Sequence, residues 1–130
     1  MSLTSEGLIS AGLNYEGAHV CESQMHPLLQ QLTVDHANYM AQNCEQGHQD
    51  FQSRYDKIQE ELKLGAAEIC AESWPEQADA SYYDLGMEMF KCWQQSPGHW
   101  EVASKKHKYC GIEMAKGTNG IWYASILVAD

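Results

Sequence analysis

The chain has 130 residues, room for one domain with one hydrophobic core and too few for two of ordinary size. Hydrophobic residues make up 44%, with four Trp, seven Tyr and two Phe, which supplies enough apolar area to exclude intrinsic disorder. A formal net charge of −10 repels phosphate backbones and anionic lipid surfaces at long range, so nucleic acid is not an expected partner.

No stretch reaches the roughly eighteen consecutive apolar residues of a membrane span. The N-terminus lacks the basic-then-apolar pattern of a signal peptide, and Met1-Ser2-Leu3 reads as a start codon with a cloning remnant. Cys21, Cys44, Cys70, Cys92 and Cys110 lie far apart without a Cys-x-x-Cys. Their odd number leaves one unpaired within a monomer, and both free buried thiols and one or two bridges fit this spacing. Cys70 and Cys110, in strand-like surroundings, are expected to be buried.

In chain order, Thr4-Ser5-Glu6-Gly7 is a plausible cap for a short helix through Leu8, Ile9 and Leu13, weakened by Gly7, Gly12 and Gly17. A loop comes next, through Glu22-Ser23-Gln24. His26-Pro27 opens a firmer helix, with apolar residues from Leu28 to Ala41, ending near Gln42 or Asn43. His36 sits on or beside its apolar stripe and reads as a packed, hydrogen-bonded core histidine rather than a ligand.

Cys44 to Asp50 has no helical period and holds the pair Gly47-His48. Cys44 and His48 have a spacing that zinc can use, but no second Cys/His pair completes a structural site. Phe51 to Leu64 reads as a helix closed by Gly65, with Phe51, Tyr55, Ile58 and Leu62 on its buried stripe and Arg54, Lys57, Glu60 and Glu61 on the opposite one. In Ala66-Ala67-Glu68-Ile69-Cys70-Ala71 a single carboxylate stands among small apolar residues. Burial of that carboxylate requires a partner, so Glu68 either faces water or is paired, and the usual preference of carboxylates is the surface.

Pro75-Glu76 is expected to start the last long helix, whose apolar face runs through Tyr82, Leu85, Met89, Cys92 and Trp93. Ser96-Pro97-Gly98 stops it and leaves His99 between Trp93 and Trp100. The break is either plain punctuation with His99 packed beside it, or a corner that carries a site. Past the break, one further helical turn fits Trp100 to Ala103. Tyr109 to Lys116 and Ile121 to Val128 flank Gly117-Thr118-Asn119-Gly120, a hairpin in composition and length. Trp122, Ala124, Ile126 and Val128 lie on one face of the second strand, and Ile121, Tyr123, Ser125 and Leu127 on the other. Both faces are largely apolar, which makes that strand central and covered on both sides.

Taken together, these residues resemble the CAP superfamily, the SCP-like domain of cysteine-rich secretory proteins, antigen 5 and pathogenesis-related proteins, in its bacterial-type form. Leu28, Leu32, Ala37 and Met40 resemble the family's second helix, Gly47-His48 its first histidine, and Arg54 the arginine that often comes after it. Ala67-Glu68-Ile69-Cys70-Ala71 is similar to the Gly-Glu-Asn-hydrophobic-Ala motif, with Ile69 where that motif has Asn. Trp93-x-x-Ser96-Pro97-Gly98-His99 is similar to the family's Trp-x-x-Ser-Pro-Gly-His run and is the most specific piece. Cys110 to Met114 and Ile121-Trp122-Tyr123 resemble the closing strands, so the likeness runs from about Met25 to Val128.

The resemblance implies an α+β fold, a three-layer α-β-α sandwich around a small central antiparallel sheet. It places His48 and His99 across one cleft with Glu68, Ser96, Glu101 and Trp93 around it. Ser96 stands where many members carry a second acid, and neither Glu88 nor Glu101 occupies that position. His48 and His99 are then the candidate ligands of a weakly held divalent metal such as Zn²⁺, and Glu68 the candidate catalytic base. The implied function is a non-catalytic module binding a metal, small ligand, lipid or protein partner; the alternative is a metal-dependent, peptidase-like hydrolase in the same cleft. A secreted or extracellular location is implied by the same resemblance.

Overall fold

The computed structural model describes residues 1–74 and 79–130. The expected helix start at Pro75-Glu76 falls outside the described residues. Helix α1 spans Leu3–Asn14, and a 3₁₀ turn, Val20–Glu22, leads to the two-residue strand β1, Gln24–Met25. Helices α2 (Pro27–Asn43) and α3 (Phe51–Leu62) precede strand β2 (Ala66–Glu72). Helices α4 (Tyr82–Gln94) and α5 (Pro97–Ala103) then lead to the hairpin of β3 (Tyr109–Lys116) and β4 (Trp122–Ala129).

The sheet order is β1-β3-β4-β2. Strand β4 pairs antiparallel with both long neighbours, with Ile126 opposite Ile112 of β3 and Ile69 of β2. Strand β1 pairs parallel with β3 through Gln24–Tyr109 and Met25–Cys110, so the sheet is mixed rather than purely antiparallel. A two-residue strand has no periodicity to read, which is why the sequence shows only a loop there.

All eight residues of β4 are buried, as its two apolar faces require. On one face Ile126, Val128 and Ile112 meet Leu8 of α1, Leu85, Phe90 and Trp93 of α4 and Ala103 of α5. On the other, Leu127 packs with Leu29 of α2 and Ile58 of α3, and Tyr123 with Met40. The result is an α-β-α sandwich.

Glycine positions explain two departures from helix propensity. Gly7, which weakens α1 as an isolated helix, lies where a Cβ would stand 2.4 Å from Cβ of Tyr82; Gly86 lies where one would stand 2.7 Å from Cβ of Ala11. The two helices approach through these residues, and packing outweighs a propensity cost of about 1 kcal/mol. Ser2 is the N-cap of α1, accepting from the Ser5 amide at 3.1 Å, and its hydroxyl donates to the buried Glu113 carboxylate at 2.8 Å. Thr4 donates to the same carboxylate at 2.6 Å, so the polar start of α1 is tied to β3.

Helix α3 ends one turn before Gly65, with Lys63 in the left-handed region (φ 59°) as its cap. Gly65 instead exchanges two backbone hydrogen bonds with Asp130, at 3.1 and 3.2 Å, and opens β2. All five cysteines are unbridged, with Cys70 and Cys110 buried as expected.

Gly111 of β3 sits under α2, where an added Cβ would lie 2.4 Å from the Leu29 carbonyl oxygen. Backbone cannot yield as a side chain does, so Gly111→Ala should lose about 1–3 kcal/mol or more in denaturant unfolding. Gly98→Ala, where nothing lies within 4 Å, should be neutral or slightly stabilising. Equal stability of the two variants would refute this account of the α2–β3 contact.

Candidate functional site

The site begins with a tight connection between α2 and α3. Cys44 (φ 51°) closes α2 and Asp50 (φ 60°) precedes α3, both in the left-handed region, so the chain reverses within residues 44–50. Buried side chains hold that loop from beneath. His36 of α2, 3% exposed, donates from Nε2 to the Gly47 carbonyl at 2.7 Å. Arg54 of α3 donates from Nη1 to the Gln49 carbonyl at 2.9 Å. The loop thereby carries His48 outward over β2, with its side chain 47% exposed.

Beneath His48 lies Glu68. Its side chain is 1% exposed, a correction to the surface position that carboxylate preferences suggest. The physical reason is Arg54, which donates to both oxygens, from Nε to Oε2 at 2.7 Å and from Nη2 to Oε1 at 2.8 Å. Arg54 is itself 8% exposed, so its place on the polar stripe of α3 is also corrected. A two-point guanidinium–carboxylate pair is among the few partners that offset the desolvation of a buried carboxylate.

His48 completes the shell, its Nδ1 standing 3.0 Å from Glu68 Oε1. A carboxylate oxygen only accepts, so His48 donates from Nδ1, and Nε2 is the ring nitrogen that Glu68 does not engage. Burial alone pushes the Glu68 carboxyl up, but hydrogen bonds from His48 and Arg54, with the charges of Arg54 and His36, hold it below the usual range. Burial lowers His36, against the pull of Glu68, so its imidazole is neutral near pH 7.

His99 stands in the first turn of α5, half-buried, in the opposite helical layer. Burial, and then the charge of His48, lower its pKa, so the two imidazoles are within electrostatic reach of each other. Strand β2 ends the sheet among the described residues, and α3 and α5 both pack against it, so the His48 loop and the start of α5 flank one strand.

The other residues expected around the cleft are placed differently. Ser96 is the N-cap of α5, without a side-chain capping bond. Trp93 is 1% exposed and forms no cleft wall; its indole N–H donates to the Cys70 carbonyl at 3.0 Å and pins β2 to α4. Glu101 is 71% exposed and reaches Lys105 at 3.5 Å, outside the cluster. Glu88 faces Tyr15 and Cys92 instead.

Two donor sets bear on a metal. Among the described residues, His36, Glu68 and Cys70 have potential ligand atoms within 4.8 Å of one another, a group of the kind that holds an ion. Its chemistry does not suit one. His36 Nε2 has its proton committed to Gly47, and both Glu68 oxygens accept from Arg54. The Cys70 thiol is raised by burial and by Glu68, so it stays protonated. These three form a satisfied polar core. In the other set, His48 with His99, Glu68 accepts from His48 Nδ1 from behind, as outer-shell carboxylates do, and Nε2 is the ring nitrogen it leaves unengaged.

No protein-family model matches this chain, and no curated protein matches it. Among solved structures, the chain is similar to an outer surface protein from Borrelia burgdorferi, with a TM-score of 0.69. The match covers 98% of this chain and 94% of that one at 17% identity. At that identity the likeness is one of fold. No helix among the described residues is long and apolar enough to cross a membrane.

Arg54→Met strips the buried Glu68 of its cation and should cost about 3–5 kcal/mol in denaturant unfolding at neutral pH. Because the fold depresses His36, its contribution is full above an unfolded pKa of about 6.5 and is lost as pH falls through the lower folded value. Glu68, depressed as well, contributes fully above about pH 4.3 and loses that contribution on further acidification. Wild-type stability should therefore fall in two stages, with the lower one diminished in Glu68→Gln. A flat profile from neutral pH to pH 4, or an Arg54→Met cost under about 1 kcal/mol, would contradict this assignment.

Proposed function

We propose that this chain is an SCP-like CAP domain acting as a non-catalytic binding module, with the His48–His99 cleft as its binding site. The observation that carries the reading is the Glu68–His48 contact, in which Nδ1 donates and Nε2 is left unengaged, with His99 close enough to feel the charge of His48. Two neutral imidazoles are a ligand pair for a divalent cation such as Zn²⁺, with water or a bound molecule completing its coordination. Two protein ligands make weak and reversible binding the expectation. When bound, the ion would supply Lewis acidity and a coordination position for a donor on the ligand.

The same contacts favour binding over hydrolysis with Glu68 as base. A carboxylate held below its usual range by an arginine and a histidine is a poor proton acceptor near neutral pH. Glu68 is better placed as a positioning residue for His48. The likeness in fold to an outer surface protein supports a location outside the cell.

Zinc titration by calorimetry tests this reading directly. Wild type should bind about one equivalent weakly, and His48→Ala/His99→Ala should bind none at that site. Because both imidazoles must be neutral, affinity should fall as pH drops through about 6 to 7. Chelation should barely move the melting temperature, since the core is complete without metal. Unchanged zinc binding in the double variant would overturn the proposal.

A further inference from the structure

The backbone of β2 shows a second recognition element. Gly65 and Asp130 exchange both of their hydrogen bonds, and Ser73 donates to the Trp122 carbonyl at 2.9 Å, which sets the phase of the β2–β4 ladder. In an antiparallel pair the bonded residues alternate. Ala67, Ile69 and Ala71 therefore bond β4, while Ala66, Glu68 and Cys70 turn their N–H and C=O outward. The outward carbonyl of Cys70 is taken by the Trp93 indole. Among the described residues nothing takes those of Ala66 and Glu68. Glu68 makes the exposure plain: the residue is half-buried while its side chain is 1% exposed, so what solvent reaches is main chain.

These four groups lie between two shallow cavities that share Ala66 and Ala67. One, of about 320 Å³, is walled by His48, Phe51 and Glu68. The other, of about 250 Å³, is walled by Gly65, His107, Val128 and Asp130. Together they form a trough along the open edge. Strand β2 has no bulge and no proline to blunt that edge.

We propose that the edge of β2 binds an extended, cationic peptide segment by β-strand addition, pairing with Ala66 and Glu68 and passing beside His48. Alternate side chains of such a segment face the two cavities. Charge selects the occupant. The chain carries a net charge of −10, so a basic segment is attracted while a second copy of this chain is repelled; Asp130 in the trough wall, bonded to His107 and the Lys108 amide, remains 63% exposed. The inference shares the location of the proposed cleft but requires no metal, and it is tested with a chelator present so that the two can fail separately.

The probe is the acetylated, amidated hexapeptide Lys-Val-Lys-Val-Lys-Val, titrated into the whole chain and followed by amide hydrogen exchange. At saturation, exchange of the Ala66 and Glu68 amides should slow by about ten-fold or more, the effect expected of two new hydrogen bonds. N-methylating the edge-facing amides of the peptide should weaken binding about ten-fold by the same arithmetic, and the Glu-Val counterpart should bind at least that much more weakly. Ala66→Pro removes an outward donor without touching the β4 ladder, so it should weaken binding while preserving the melting temperature. If that variant does not fold, the N-methylated peptide carries the test. Absence of protection at both amides, equal binding of the N-methylated peptide, or protection of the same amides by self-association without peptide would each overturn the proposal.

Discussion

The pairing of Glu68 with Arg54 governs the geometry of the whole site. A carboxylate withdrawn from water in an apolar layer is stable only when its oxygens are saturated, and here two of the contacts come from one guanidinium. That requirement locks α3 to β2. Through the third Arg54 bond, to Gln49, and through the His36–Gly47 bond, it also fixes the loop that carries His48. An ion pair of this kind contributes more to geometry than to net stability, because its Coulombic gain is largely consumed by desolvation.

The other half of the site is held by packing. Trp93 fills the core beneath β2, edge-to-face with Phe90 at 5.0 Å, and its one polar atom satisfies an outward carbonyl of the strand. Helix α4 is thereby anchored to β2 where it hands over to α5, and His99 comes within one turn of Ser96. His48 and His99 thus belong to elements on either side of a strand that ends the sheet among the described residues.

Much of the frame was legible in the sequence. The β4 alternation predicted a strand covered on both sides, Pro27 marked the start of α2, and Ser96-Pro97-Gly98 marked the hinge between α4 and α5. Strand β1 was illegible because two residues carry no period, and α1 looked weak because its glycines serve a neighbour that is distant in sequence. Arg54 shows the limit most clearly. On a helical wheel a cation opposite the apolar stripe belongs in water, and only a carboxylate on another element draws it inward. The signal that could have found it was Glu68 itself, a lone charge among small apolar residues for which the buried alternative demanded a cation.

Local choices belong to the sequence: helix or strand, where each stops, and which residues carry chemistry. Those choices come from backbone sterics, side-chain periodicity and the chemistry of His, Glu and Arg, all encoded over a few residues. Which polar groups saturate one another, and which remain open, was settled by the assembled fold alone. Burial of Glu68, the hydrogen bond of His48, and the free edge of β2 each depend on groups brought together from separate elements. Desolvation makes the energy of such groups a property of the assembled neighbourhood, so no reading of one element at a time can assign it.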